Sequence, residues 1–221
     1  MMIKYLIWDF NGTILDDLDL SIELLNKILK KQNKPTVNKK RYLDIFGFPL
    51  KEYYFKAGIS YEKATFETIA HNFIVEYQPQ SLKLSLHKGV KTTLKKLKDR
   101  GIKNICLSAS EENNLLEQLT HYQIIDYFDE VIGTNNVYAV GKDQLGLEYF
   151  KEKKINPLEV LYLGDTTYDY EVGLKLGVKV VLFSKGHHSK KRLMATRVPL
   201  IDKISDIIKI IEGENKNEKV F

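Results

Sequence analysis

The chain is predicted to be an α/β protein, with a doubly wound, Rossmann-like parallel sheet and a small all-helical unit inserted after the first strand. Three features predict this. Short apolar runs at Tyr5 to Trp8, Ile105 to Leu107, Val160 to Leu163 and Val178 to Phe183 read as strands buried on both faces. From His87 onward such runs alternate with helical patterns, which favours parallel strands joined by crossover helices. Between Leu15 and Ser81 no strand-like run occurs, only helical periodicity.

Taken in order, Tyr5 to Trp8 leads into Asp9 and a turn at Asn11-Gly12. Leu18, Ile22, Leu25 and Leu29 mark one face of a helix that ends at Asn33-Lys34-Pro35. Short helices follow over Val37 to Phe46 and Leu50 to Lys56, broken by Gly47-Phe48-Pro49 and by Gly58. Phe66, Ile69, Ala70, Phe73, Ile74 and Tyr77 give another helical face, expected to pack in a core. Val90, Leu94 and Leu97 lie on a helix stopped by Gly101. Ser108 closes the second strand, and Leu115, Leu116 and Leu119 lie on the next helix. Val131-Ile132 is a short third strand, and Leu145, Tyr149 and Phe150 mark a helix ended by Asn156-Pro157. The fourth strand runs into Gly164-Asp165, and Gly177 precedes the fifth. Ile204, Ile207, Ile208 and Ile211 belong to a last helix, before a polar tail. The expected division is a core of residues 1–15 and 86–213, an insert of 16–85, and a tail of 214–221. Segments 14–18 and 79–87 are its natural hinge.

The 221 residues are 43% hydrophobic and 29% charged, an ordinary globular balance. No apolar run approaches the roughly 18 residues of a membrane span, and the N-terminus lacks a signal-peptide layout. Cys106 is the only cysteine, which excludes an intrachain disulfide, fits a cytoplasmic location and reads as core packing. The net charge of +5 is mild. Its densest cluster, Lys88, Lys91, Lys95, Lys96, Lys98, Arg100 and Lys103, reads as a solvated helix surface, so no nucleic-acid partner is expected.

In open parallel sheets ligands bind beyond the carboxyl ends of the strands. Asp9, Ser108 and Asp165 stand at such ends, with Asp169 one helical turn further and Lys142 after the third strand. Carboxylates as hard oxygen ligands suit Mg²⁺ better than zinc. A lysine and a hydroxyl beside them suit a phosphate.

The order and spacing resemble the haloacid dehalogenase superfamily of phosphotransferases, in its phosphoglycolate phosphatase-like branch with a helical cap. Asp9-Phe10-Asn11-Gly12-Thr13 resembles the first motif, Ser108 in Leu107-Ser108-Ala109-Ser110 the second, Lys142 the third, and Gly164-Asp165-Thr166-Thr167-Tyr168-Asp169 the fourth. Gly47-Phe48-Pro49-Leu50 resembles the cap loop that touches substrate, which makes Gly47, Pro49 and Ala109 candidate substrate contacts. The resemblance implies a Mg²⁺-dependent phosphatase acting on a small phosphorylated metabolite, as a monomer or homodimer. Asp9 would be the nucleophile that forms an aspartyl-phosphate. Asp9, the Asn11 backbone carbonyl, Asp165 and Asp169 would hold the metal. Ser108 and Lys142 would hold the phosphoryl oxygens, and Thr13 would order the loop.

Asn11 departs from the pattern, because the family has an acid–base aspartate there and an amide cannot shuttle protons. Four explanations stay open: a substrate whose leaving group needs no proton, a proton from another residue in the cap or at Asp16 or Asp17, a slow or degenerate phosphatase serving as a non-catalytic phosphometabolite-binding protein, or an Asn11 that is an introduced change or deamidates at Asn11-Gly12. A carbon–phosphorus hydrolase using a cap lysine is a further alternative. His87, His187 and His188 lack metal-ligand spacing and read as surface or loop residues, with Gly186-His187-His188-Ser189 as a minor candidate for the rim of the site. Ser108 has a structural alternative as a helix N-cap, boxed by Glu111.

Overall fold

Residues 2–135 and 141–217 are described by the structure, a computed structural model. Six strands form one sheet: β1 (Tyr5–Trp8), β2 (Lys103–Glu111), β3 (Glu130–Thr134), β4 (Val160–Gly164), β5 (Lys179–Phe183) and β6 (Leu200–Ile201). Their order is β3-β2-β1-β4-β5-β6 and every pairing is parallel. The order reverses at β1, which pairs Trp8 with Cys106 on one side and with Leu163 on the other. The crevice beyond β1 and β4 is therefore the switch point where a doubly wound sheet binds its ligand.

The core follows from period-two alternation along the strands. Leu6, Trp8, Cys106, Leu161, Leu163 and Val181 point to one face. They meet α5 (Val90–Asp99), α6 (Glu112–His121) and α10 (Ile207–Asn217) through Leu94, Leu97, Leu115, Leu119, Ile207 and Ile211. Ile7, Ile105, Leu107, Tyr162, Val180 and Leu182 point to the other face. There they pack on Phe150 of α7 (Lys142–Lys153) and on Val172 and Leu176 of α8 (Thr167–Leu176). Cys106 is buried as expected, and burial pushes its thiol far up, away from reactivity.

The insert has its own core. Helices α1 (Leu18–Lys31), α2 (Lys39–Ile45), α3 (Leu50–Ala57) and α4 (Phe66–Ser81) bury Leu25, Leu29, Tyr42, Tyr53, Tyr54 and Ile69 together. Its two connections are tied side by side. Leu15 bridges Leu86, the Asp16 N–H donates to the Ser85 carbonyl at 3.0 Å, and the His87 N–H donates to the Ile14 carbonyl at 2.9 Å.

Several expectations need correction. β2 continues to Glu111 through a register irregularity after Leu107, so Ser108 lies inside the strand and not at its end. Glu111, not Ser108, caps α6 by accepting from the Asn114 N–H. α4 runs through Pro79. β6 and the five-residue α9 (Lys190–Met194) are additions. The expected tail is helical as far as Asn217, while its remainder, 218–221, lies outside the described residues. His87 is buried against the Phe183 ring, not at the surface. Among the described residues no helix is long and apolar enough to cross a membrane.

Candidate active site

The site grows from the carboxyl end of β1. The Asp9 N–H still donates to the Leu163 carbonyl of β4, so the strand pairing carries this carboxylate to the sheet edge. The chain then folds back on itself, with the Ile14 and Leu15 N–H groups both donating to the Phe10 carbonyl. Gly12 takes a φ of +77° in this turn, and a Cβ there would lie 2.4 Å from Asp165 Oδ2, so both the backbone shape and the close approach require glycine.

Asp165 and Asp169 arrive from β4 and α8. Thr166 and Asp169 form a capping box at the start of α8, so Asp169 also serves as the helix-start residue that its position suggested. One Asp169 oxygen accepts from the Asp165 and Thr166 N–H groups and from Thr166 Oγ1. The other accepts from Lys142 Nζ at 2.8 Å and from the Tyr162 hydroxyl. Asp165 accepts from Thr13 Oγ1 at 2.8 Å and from the His187 backbone N–H at 2.6 Å.

Lys142 enters from the first turn of α7, 1% exposed, and its ammonium bridges Asp9 and Asp169. Two of the three buried carboxylates thus share one lysine. Burial pushes Asp9 well above the usual carboxylate range, with the Asp169 charge adding to it and Lys142 opposing. Burial likewise pushes Asp165 up to about 6. Burial would raise Asp169 too, but Lys142 holds it below its ordinary value. One oxygen from each of Asp9, Asp165 and Asp169 lies within 4.8 Å of the others. An all-oxygen cluster with excess negative charge fits a hard divalent cation such as Mg²⁺.

Asn11 stands beside this cluster in a closed hydrogen-bond ring. Its amide Nδ2 donates to Asp17 Oδ2 at 3.1 Å and to the Tyr77 hydroxyl at 2.7 Å, and its Oδ1 accepts from Ser110 Oγ at 2.8 Å. The Tyr77 hydroxyl in turn donates to Asp17. Asp17 also accepts from the Gly12 N–H and faces His187 Nε2 at 3.0 Å, while His187 Nδ1 meets the Tyr42 hydroxyl at 2.9 Å. The carboxylate missing at position 11 therefore has a neighbour at Asp17, whereas Asp16 is exposed and turns toward His87.

His187 and His188 do lie in the loop after β5, as expected, but both are buried and not at the surface. They follow β5, and the same strand-end rule that placed Asp9 and Asp165 brings them to this edge. Burial disfavours the His187 imidazolium, yet the Asp17 carboxylate more than offsets it and lifts the group to about 9. Burial lowers His188 to about 3; it accepts from the Thr167 N–H at Nδ1 and lies 2.9 Å from the Phe46 carbonyl at Nε2, as a neutral ring with its proton on Nε2 does.

The His187 shift has a measurable sign. A histidine raised above 6.5 in the folded chain contributes stability that is fully present below that pH and is lost as pH rises through about 9. In metal-free buffer the unfolding free energy should fall by roughly 3 kcal/mol across this window. Asp17→Asn should flatten that slope in urea melts taken at each pH.

Ser108 is 1% exposed and accepts from the Ser110 N–H at 3.1 Å. Ala109 lines a cavity between insert and core. Gly47 and Pro49, expected as substrate contacts, do not line it; Phe46, Phe48 and Leu50 of the same loop do. Gly47 instead borders a separate groove with Tyr168, His188 and Arg192.

Residues 6–183 match the family model described as haloacid dehalogenase-like hydrolase. A phosphoglycolate phosphatase from Rhodobacter capsulatus is 21% identical over 190 residues, covering 84% of this chain and 86% of that protein. A predicted phosphatase from Clostridium acetobutylicum superposes with a TM-score of 0.82 at 18% identity, covering 96% of this chain and 100% of that one. A predicted phosphoglycolate phosphatase from Haemophilus somnus gives 0.79 at 19% identity, covering 95% and 98%.

Proposed function

The chain belongs to the haloacid dehalogenase-like hydrolase family, and on that premise we propose that it is a Mg²⁺-dependent phosphatase acting on a small phosphorylated metabolite through an aspartyl-phosphate on Asp9. The observation that carries this reading is the buried cluster of Asp9, Asp165 and Asp169, with Lys142 bridging Asp9 and Asp169, at the switch point of the sheet.

The chemistry follows from the residues. An oxygen of Asp9 attacks phosphorus while the bond to the substrate oxygen breaks, leaving the phosphoryl group on the carboxylate. Lys142 and Ser108 hold the phosphoryl oxygens and offset the charge that develops on them. Water then attacks phosphorus, phosphate departs and Asp9 is regenerated. Asp9, Asp165, Asp169 and the Asn11 carbonyl would hold Mg²⁺, which when bound screens the repulsion between carboxylate and phosphate. Thr13 keeps Asp165 in place. Helices α1 to α4 serve as a cap, over a boundary at 16–85, that excludes water during transfer.

Asn11 carries no exchangeable carboxyl proton, and its amide is committed to Asp17 and Tyr77. Departure without a proton donor at this position favours acyl phosphates and other good leaving groups over simple alkyl esters. General acid help is worth about 10²–10⁴-fold, and that is the expected gap in kcat/KM between acetyl phosphate and an alkyl phosphate. The caged Asn11 also supports the rival reading, a phosphometabolite-binding protein without turnover. Carbon–phosphorus cleavage through a cap lysine has less support, since no lysine lines the cavity among the described residues.

Phosphate release from acetyl phosphate and a panel of monoesters tests the proposal. Turnover should require Mg²⁺, stop on chelation, return on Mg²⁺ addition, and be lost in Asp9→Asn. Undiminished turnover in Asp9→Asn sinks the mechanism, and no turnover of any panel member by the unaltered chain favours the binding protein.

A further inference from the structure

Resting on the phosphatase reading above, we propose that the group carried by the phosphate is a neutral, ring-sized apolar body, and that it bears neither a carboxylate nor a second phosphate. The geometry lies in the cavity between insert and core. It measures about 130 Å³, and its lining borders the acidic cluster through Asn11 of the Asp9 turn, Ala109 beside Ser108, and His187, whose backbone N–H donates to Asp165. Its walls are mainly aromatic and aliphatic, from Phe46, Phe48, Tyr53, Tyr54, Phe73 and Ile74. Phe46 and Tyr53 meet edge to face with centroids 5.0 Å apart, and Phe48 stacks on Tyr168, so these walls are held by packing.

Charge complementarity decides what such a cavity accepts. A buried carboxylate or phosphate needs a cation or several free N–H donors, and leaving it unpaired is strongly unfavourable. Among the described residues no lysine or arginine lines this cavity. Its one imidazole, the His187 ring, is already paired with Asp17. Three of its polar side chains spend their donors on the protein: Ser110 Oγ on Asn11, Gln118 Nε2 on Ser81, and Gln78 Nε2 on the Asn114 carbonyl and Glu117. Glu111, also at the lining, repels an anion further.

Size points the same way. An apolar cavity of roughly 150 Å³ holds one benzene, so the space here matches a six-membered ring or a branched chain of similar bulk. A cationic body is disfavoured because both lining carboxylates are already engaged, Asp17 by Tyr77, Asn11, the Gly12 N–H and the His187 ring, and Glu111 by Asn113 and the Asn114 N–H.

Three phosphonates that differ only beyond the methylene test this without any turnover. Benzylphosphonate, phosphonoacetate and 2-aminoethylphosphonate are titrated calorimetrically into the full chain with Mg²⁺. Benzylphosphonate should bind at least about tenfold more tightly than either other, as burial of a six-carbon apolar body implies. Ile74→Arg, which puts a cation on the half-buried wall, should erase or reverse the preference over phosphonoacetate. Equal or tighter binding of phosphonoacetate by the unaltered chain overturns the proposal, as does tighter binding of the aminoethyl compound. Acetyl phosphate turnover, measured in parallel, judges the phosphatase reading separately: its absence counts against that reading, while the order of binding still decides what the cavity takes.

Discussion

Lys142→Ala should cost about 3–5 kcal/mol of stability in metal-free buffer, the penalty typical of removing one partner of a buried ion pair. Lys142 is the only cation in contact with Asp9 and Asp169 among the described residues, and all three are buried. Removing it leaves two carboxylates facing each other out of water, with Asp165 close by. One of them must take up a proton, so the loss should be largest above neutral pH and shrink on acidification, where the carboxyls are neutral. Mg²⁺ should restore part of the loss, because a divalent cation supplies the missing positive charge to the same oxygens. Urea melts of the variant with and without Mg²⁺, at two pH values, give all three quantities. Lys142→Met, which keeps most of the side-chain volume, separates the charge effect from the cavity left by alanine.

Asn11→Asp should destabilise the chain by about 1–3 kcal/mol at neutral pH instead of repairing it. The Asn11 amide nitrogen sits 3.1 Å from Asp17 Oδ2 and 2.7 Å from the Tyr77 oxygen. A carboxylate oxygen in that place would face another carboxylate and would lose a donor that two acceptors use. The double exchange Asn11→Asp with Asp17→Asn keeps one amide and one carboxylate in the ring, and should recover much of the loss. Thermal melts of the single and double variants give the coupling directly. If the single exchange leaves the melting temperature unchanged, Asn11 and Asp17 are not matched as described.

The strands and most helices were legible because apolar runs and periodicity are local signals. β6 and α9 were not, since two and five residues carry no pattern that stands above their surroundings. Asp9, Asp165, Asp169 and Lys142 were legible because strand ends converge on one edge, and the structure does bring them together. The second ring around Asn11 was not. Its bonds join Asp17 to Tyr77 across 60 residues and to His187 across 170. Tyr77 reads as a core position from helical spacing, yet its hydroxyl reaches the site while its ring packs on Phe73. The position of His187 just past β5 was the available signal, because the strand-end rule applies to it as it does to Asp165. The loop at Gly47-Phe48-Pro49-Leu50 borders the cavity, but through Phe48 and Leu50 and not through Gly47 and Pro49.

Catalysis through Asp9 is tested most directly by trapping the covalent state. The chain is mixed with Mg²⁺ and acetyl phosphate, quenched in acid, reduced with borohydride and mapped by peptide mass spectrometry. Reduction converts an aspartyl-phosphate to homoserine, and the account predicts homoserine at position 9 only in samples given substrate. Turnover with an unmodified Asp9, or phosphate carried on His187 or Ser108, would contradict it.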